Sequence, residues 1–483
     1  VITRTGHAVI RPEQIADANV LFPDWPRPDL NLACLELLIG LVFMACPPAD
    51  AETWEEQSVP DGDRLRDGLS HFVHAFELGG SGPRFLQDLE AFEGSIEPNP
   101  VDMLFIDSSG GNTARNNADL MVHRNRYADL TAPHAAMALF ALQAFAPSGG
   151  AGNRTSMRGG GPLTTLIIPH QDCSLYDIVW ANVPDGSPAG PDDLPWMRPT
   201  HLSDKEHGSV AYPPAGTGMH VETFFGMPRR LRLIFSGNDL VTGVVQRPYG
   251  ANYALWNHPL TPYYQQKAGD EKLPVHPRAG LFGYRNWLGI VCEADEGSWR
   301  YRAETLTTYR GRVRSTRDAR LLVGGWAMDN MKPRDFLWSM QPLAALDLDK
   351  PLVLRAMIQA AEMFVADLRA KLRPVLGEKS ALDSAVESFF QQTDASFSAR
   401  FAELRQGNDV AVSWVADLRR AAMRIYDSAA LNSFDQRDAN AIEVIARGRN
   451  YLLGSFAGRG KIGAAAFTLL GLPLPAKMEK IRP

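Results

Sequence analysis

Beyond Pro351, apolar residues return every three or four positions through four successive stretches, 352–372, 381–404, 410–427 and 438–456, with Pro374 closing the first. A repeat of that period commits the backbone to helices that each hide one face. Four of them joined by short links predict an antiparallel bundle. Ser380 and Asp383 are spaced as a capping-box variant at the start of the second. Upstream the texture differs. Over 102–341, short β-branched runs (TTLII, RLRLIF, RLLVGG) alternate with loops rich in Gly, Pro and Asn, which predicts mixed α and β structure with long surface loops. A chain of 483 residues exceeds one ordinary core. The expected organisation is α+β: a large mixed α/β domain over 1–345 followed by a four-helix bundle over 346–483.

The most apolar run, LACLELLIGLVFMAC, ends at Cys46 and contains Glu36. It is shorter than the ~20 residues a bilayer requires, so it predicts a buried helix, capped by Asp29 and stopped by Pro47 and Pro48, and no membrane partner. Downstream, Leu65, Leu69, Phe72, Val73 and Phe76 keep a helical period that places His71 and His74 one turn apart. Two histidines without H-E-x-x-H or nearby cysteines predict no metal site. Cys34, Cys46, Cys173 and Cys292 form no C-x-x-C pair. Neither a zinc ribbon nor a disulfide framework is indicated, and a reducing cytoplasm is the expected compartment.

Net charge is -6, unevenly divided: residues 351–483 carry +4 and residues 1–350 carry -10. That balance argues against a free-standing basic DNA binder. Nucleic-acid contact in the first part would be local and few-pointed. In the helical part, Arg419, Arg420, Arg447 and Arg449 concentrate positive charge, as a solvated face or a nucleic-acid surface.

The stretch NRTSMRGGGPLTT, 153–165, sets an arginine before three glycines, with SGGAG just upstream. Bare backbone beside positive charge suits a phosphate cradle. However, Gly161 is followed by Pro162 and Leu163 instead of the Lys and Ser/Thr of a P-loop, and no G-x-G-x-x-G closes a strand. No G-x-S-x-G pentapeptide occurs. The acid pairs Asp192 with Asp193 and Asp347 with Asp349 lack a neighbouring histidine. A non-catalytic recognition protein without cofactor is expected.

Three stretches in this order, DSSGGNTARNNADLM, GGAGNRTSMRGGGPLTTLI and LLVGGWAMDNMKPRDF, followed by a helical bundle, resemble the large-subunit (CasA) family of the type I-E CRISPR surveillance complex, Cascade. PRPDLNLACLELLIGL and HVETFFGMPRRLRL agree with it, so the resemblance spans the chain. It implies a subunit that checks the protospacer-adjacent motif of double-stranded target DNA, begins strand separation, binds guide CRISPR RNA and the other Cascade subunits, and helps recruit the helicase-nuclease. The alternative is a structural scaffold that binds only protein partners.

By that similarity Gly149, Gly150, Ala151 and Gly152 form a loop reading the minor groove, with Arg154 and Arg158 holding phosphates or anchoring the loop. Lys267 is the groove lysine. Asp329, Asn330 and Met331 form the tip of a wedge hairpin. Asn112, Thr113, Arg115 and Asn116 lie in a loop toward the guide RNA. A groove about 6 Å wide, with a degenerate acceptor pattern, favours a reader made of main chain. An inserted side chain can replace stacking where the duplex breaks.

Overall fold

The apolar run becomes the helix Pro28–Ala45 (α1), whose Leu32, Ala33, Leu35, Ile39 and Met44 are fully buried. Length and composition alone would let it cross a membrane, but it is the core helix of the N-terminal unit. Its N-cap is Arg27, with Pro28 in the first turn. Asp29 therefore sits inside the helix and is not the cap, as proline's fixed φ favours the first helical position. The computed structural model describes all residues except 91–96, 111, 112, 114, 118, 120–122, 151, 207, 217, 238, 296, 344–350, 433–436 and 477–483.

Against α1 pack a second apolar helix, Ala132–Phe145 (α2), and a three-stranded antiparallel sheet. The sheet's strands are Thr164–Ile168 (β1), Arg320–Asp329 (β4) and Lys332–Pro342 (β5), with β4 central. All five residues of β1 are buried, as their unbroken apolar and β-branched character requires. A second sheet is built on the hairpin Arg230–Phe235 (β2) and Leu240–Arg247 (β3). The helical period over 65–76 breaks in two, a helix Gly62–Ser70 and a 3-10 turn Val73–Phe76, which leaves Val73 exposed.

Chain contacts divide the molecule into two units, and the second contains Phe282–Ala294 as well as Ala345–Pro483. Long helices fill it: Pro351–Leu376 (α3), Lys379–Arg405 (α4), Ala411–Leu431 (α5) and Ala439–Ser455 (α6). A short fifth, Gly460–Leu469 (α7), buries Gly463 and Ala466, a stripe of small residues that the run GAAAF hides from a reading by large apolar side chains. α3 packs against each of the other four. Pro374 lies inside its last turn, and α4 is capped by Glu378 without a side-chain bond, so Ser380 and Asp383 do not form a capping box. Asp383 instead accepts from Arg369 at 2.6 Å. The early boundary segment joins this unit through aromatic packing: Tyr284 stacks on Phe397 at 4.2 Å, and its hydroxyl meets Thr393 at 2.7 Å.

Candidate nucleic-acid interface

The stretch 153–165 roots three projecting parts of the N-terminal unit. The Ser156 amide donates to the Ala146 carbonyl at 2.9 Å and the Gly161 amide to the Phe145 carbonyl at 2.9 Å, so the chain between them leaves the end of α2 and returns to it as a closed loop. The Leu163 amide donates to the Val275 carbonyl, and the Val275 amide to that of Pro262, both at 2.9 Å, which ties in the short hairpin carrying Lys267. A Cβ on Gly161 would collide with the Trp326 carbonyl oxygen and lie 2.8 Å from Trp326 Cβ, which ties in β4 of the long hairpin. Gly160 similarly meets Pro147 Cα at 2.7 Å. The three successive glycines of the sequence are therefore a packing seam and not an open cradle.

The upstream glycines differ. Gly150 is exposed, has φ +67°, and a Cβ there would touch nothing within 4 Å. Its carbonyl accepts from the Asn153 amide at 2.8 Å, closing a tight turn. Gly152 rests on the Tyr249 ring, 2.7 Å from where its Cβ would stand, while its carbonyl accepts from the Tyr249 amide at 2.8 Å. Ala151 lies outside the described residues.

Neither arginine proposed for phosphate is free. Arg154 donates through Nε and Nη2 to the hydroxyl and carbonyl of Ser203, both at 2.8 Å. Arg158 is 2% exposed and ion-paired with the buried Glu36 of α1, with further donation to Thr261 at 3.1 Å and Thr164 at 3.3 Å. Burial holds the Glu36 carboxyl above its usual range, and the Arg158 charge and hydrogen bond offset that only in part. Burial, reinforced by Arg158, holds the neighbouring His258 neutral. Its Nδ1 accepts from the Leu260 amide at 3.3 Å, which leaves the Nε2 proton facing Glu36 at 3.5 Å.

Lys267 is exposed in the loop between Tyr263–Tyr264 and Leu273–Pro274, and no carboxylate pairs with it among the described residues. In the long hairpin Asp329 pairs with Lys332, so Asn330 and Met331 are the two turn residues. Their φ values of 49° and 62° are those of a type I′ turn, which continues the strand twist. That backbone costs a methionine about 1–2 kcal/mol. Met331 is half exposed, and Asp329 is held by Arg334 at 3.0 Å.

Of the proposed guide-RNA loop, Asn112 lies outside the described residues, Arg115 and Asn116 are exposed and Thr113 is half-buried. The loop's base is clamped. Asp107 accepts both Arg126 nitrogens at 2.8 Å and is also held by Arg27, whose guanidinium lies 5.0 Å from the Phe105 ring centre. Burial pushes the Asp107 carboxyl up, but the Arg126 hydrogen bonds and both positive charges outweigh it and hold it below the ordinary range. A lowered folded value means stability that is present above about pH 4 and lost as pH falls through the folded value. Asp107→Asn is therefore expected to melt below wild type at pH 7, with the gap closing in acid, as thermal melts across pH will show.

In the helical unit Arg420 pairs with Asp417, Arg447 with Glu443 and Arg449 with Asp427, the last at 2.7 Å. Arg419 is exposed without a partner among the described residues. Three of the four charges are thus locally neutralised. Among the described residues no three His, Cys, Asp or Glu converge as metal ligands, and Asp347 and Asp349 lie outside them.

The model of the family described as CRISPR-associated protein Cse1 matches residues 1–425. The chain belongs to the Cse1 family. Cse1 is also called CasA in a solved Thermus thermophilus structure that is 19% identical, covers 92% of this chain and 95% of that one, and superposes with a TM-score of 0.67. Thermobifida fusca Cse1 is 16% identical, with 98% and 96% coverage and a TM-score of 0.68. A chain of a CRISPR RNA-guided surveillance complex is 14% identical, with 91% and 94% coverage and a TM-score of 0.65. At these identities the structures establish a shared Cse1 fold. No curated protein sequence matches the chain.

Proposed function

We propose that this Cse1 protein is the non-catalytic large subunit of a type I-E Cascade complex. It reads the adjacent motif of target DNA from the minor groove through the 149–152 loop and Lys267, parts the strands with Asn330 and Met331, and helps recruit the helicase-nuclease. The observation that carries this reading is the common root: the bare loop, the hairpin with Lys267, which meets no carboxylate among the described residues, and the long hairpin with its exposed turn are all tied to the stretch 153–165. Reading and wedging need fixed relative positions, and a packed seam supplies them. Guide RNA and the other subunits would supply most of the affinity, in keeping with the negative N-terminal part.

Binding of an assembled complex to duplexes with the adjacent motif intact or exchanged tests the reading. A scaffold would be indifferent to the exchange. Gly150→Asn has room for its side chain and tolerates the φ of +67°, but would thrust that side chain toward the groove, so assembly should survive while duplex affinity falls about tenfold, ~1.4 kcal/mol. Asn330→Ala should slow opening of a fully paired target by about tenfold and leave binding to a pre-melted one unchanged. Equal effects on both targets would reject the wedge.

A further inference from the structure

Two successive arginines entering β2 meet different surroundings. Arg230 is bound to Asp88 and, at 2.9 Å, to Glu90. Arg229 is 7% exposed and faces no carboxylate among the described residues. Its Nη2 donates to the Pro147 carbonyl, its Nε has no partner, and its Nη1 donates to nothing among the described residues. Gln143 fixes the backbone on both sides, accepting from the Arg229 amide and donating to its carbonyl at 3.0 Å each. Burial draws the guanidinium down to about 10, which leaves it charged at neutral pH.

An unpaired buried cation is costly, and a chain with no use for the charge gains by replacing it with an apolar side chain. Its position suggests the use. A Cβ on Gly149 would stand 2.9 Å from Nη1 and 3.3 Å from Nη2, so the absent side chain lets the loop backbone lie directly over the buried guanidinium, whose Nη1 makes no hydrogen bond among the described residues. Arg154 and Arg158, the other cations of this region, are taken by Ser203 and by Glu36.

We propose that Arg229 is the anion-holding residue of the glycine loop and donates through Nη1 to a phosphodiester oxygen of duplex DNA lying against that loop. The inference rests on the reading that the loop meets DNA, and adds the residue that meets the backbone. Phosphate contact fixes register while the loop reads base edges. Guanidinium suits the task because it remains charged when poorly hydrated.

The assembled complex carrying Arg229→Met, titrated with cognate duplex over a range of KCl, provides the test. Expected are weaker binding at low salt by about tenfold and a slope of log affinity against log salt reduced by about one. Arg229→Lys should recover most of the slope, and the isolated Arg229→Met chain should melt no lower than wild type. Gly149→Ala, which covers Nη1 while keeping the charge, should reduce the slope similarly and serves if the methionine variant does not fold. Wild-type slope and affinity in these variants, or a defect confined to guide RNA loading, would overturn the proposal. If wild type ignores an exchanged adjacent motif, the recognition reading fails; unchanged slopes beside intact motif discrimination would reject Arg229 alone.

Discussion

Arg158→Met is expected to lower the unfolding free energy by about 3–5 kcal/mol, because it strands the Glu36 carboxylate inside α1 without its cation. The surroundings offer little replacement. Glu36 Oε2 already lacks a hydrogen-bond partner, and His258 is held neutral. Denaturant titration of the single variant and of Glu36→Leu with Arg158→Met completes the comparison. The double variant should be more stable than Arg158→Met alone, since two apolar side chains remove both the charge and its desolvation cost. Wild-type stability in Arg158→Met, accompanied by loss of DNA affinity, would instead show an arginine that reaches phosphate.

Arg158 also shows what the sequence could not disclose. Its partner Glu36 is more than a hundred positions away, and local context marked both as exceptions, one a charge inside an apolar helix and one a cation before glycines. Helical periodicity fixes α3 to α6 within a few residues because each shows an amphipathic face. It is silent on Phe282–Ala294, whose place with the helices depends on Tyr284 finding Phe397. The tip of the long hairpin comes from the family resemblance, which implies Asp329 to Met331; the turn itself falls on Asn330 and Met331, and Asn is a residue that tolerates left-handed backbone. Arg229 carries no local mark: both arginines of the pair in PRRLRL are buried, and only the packing distinguishes Arg230, held by Asp88 and Glu90, from Arg229, which meets no carboxylate among the described residues. Charge counting likewise treats Arg420, Arg447 and Arg449 as a basic surface, because carboxylates one helical turn away or on a neighbouring helix cancel them only after folding.

The same substitution at two glycines should separate seam from loop. At Gly161, φ is +63°, and a methyl group would press on the Trp326 carbonyl and lie 3.0 Å from Met328 Cε. Left-handed backbone costs alanine about 1–2 kcal/mol and overpacking adds about 1–3. Gly161→Ala should therefore lose about 2–5 kcal/mol, whereas Gly150→Ala, with open space around its Cβ, should lose only the backbone part. The loss at Gly161 should begin at the hairpin, since among the described residues β5 is an edge strand and β4 pairs on its other side with β1 alone, through 320–324. Hydrogen exchange would then show faster exchange over 326–333 while α1 stays protected. In an assembled complex this variant should bind a pre-melted target and fail to open a paired one, because the turn at Asn330 and Met331 no longer has a fixed base. Unchanged hairpin protection together with normal opening would mean that the seam does not position the wedge.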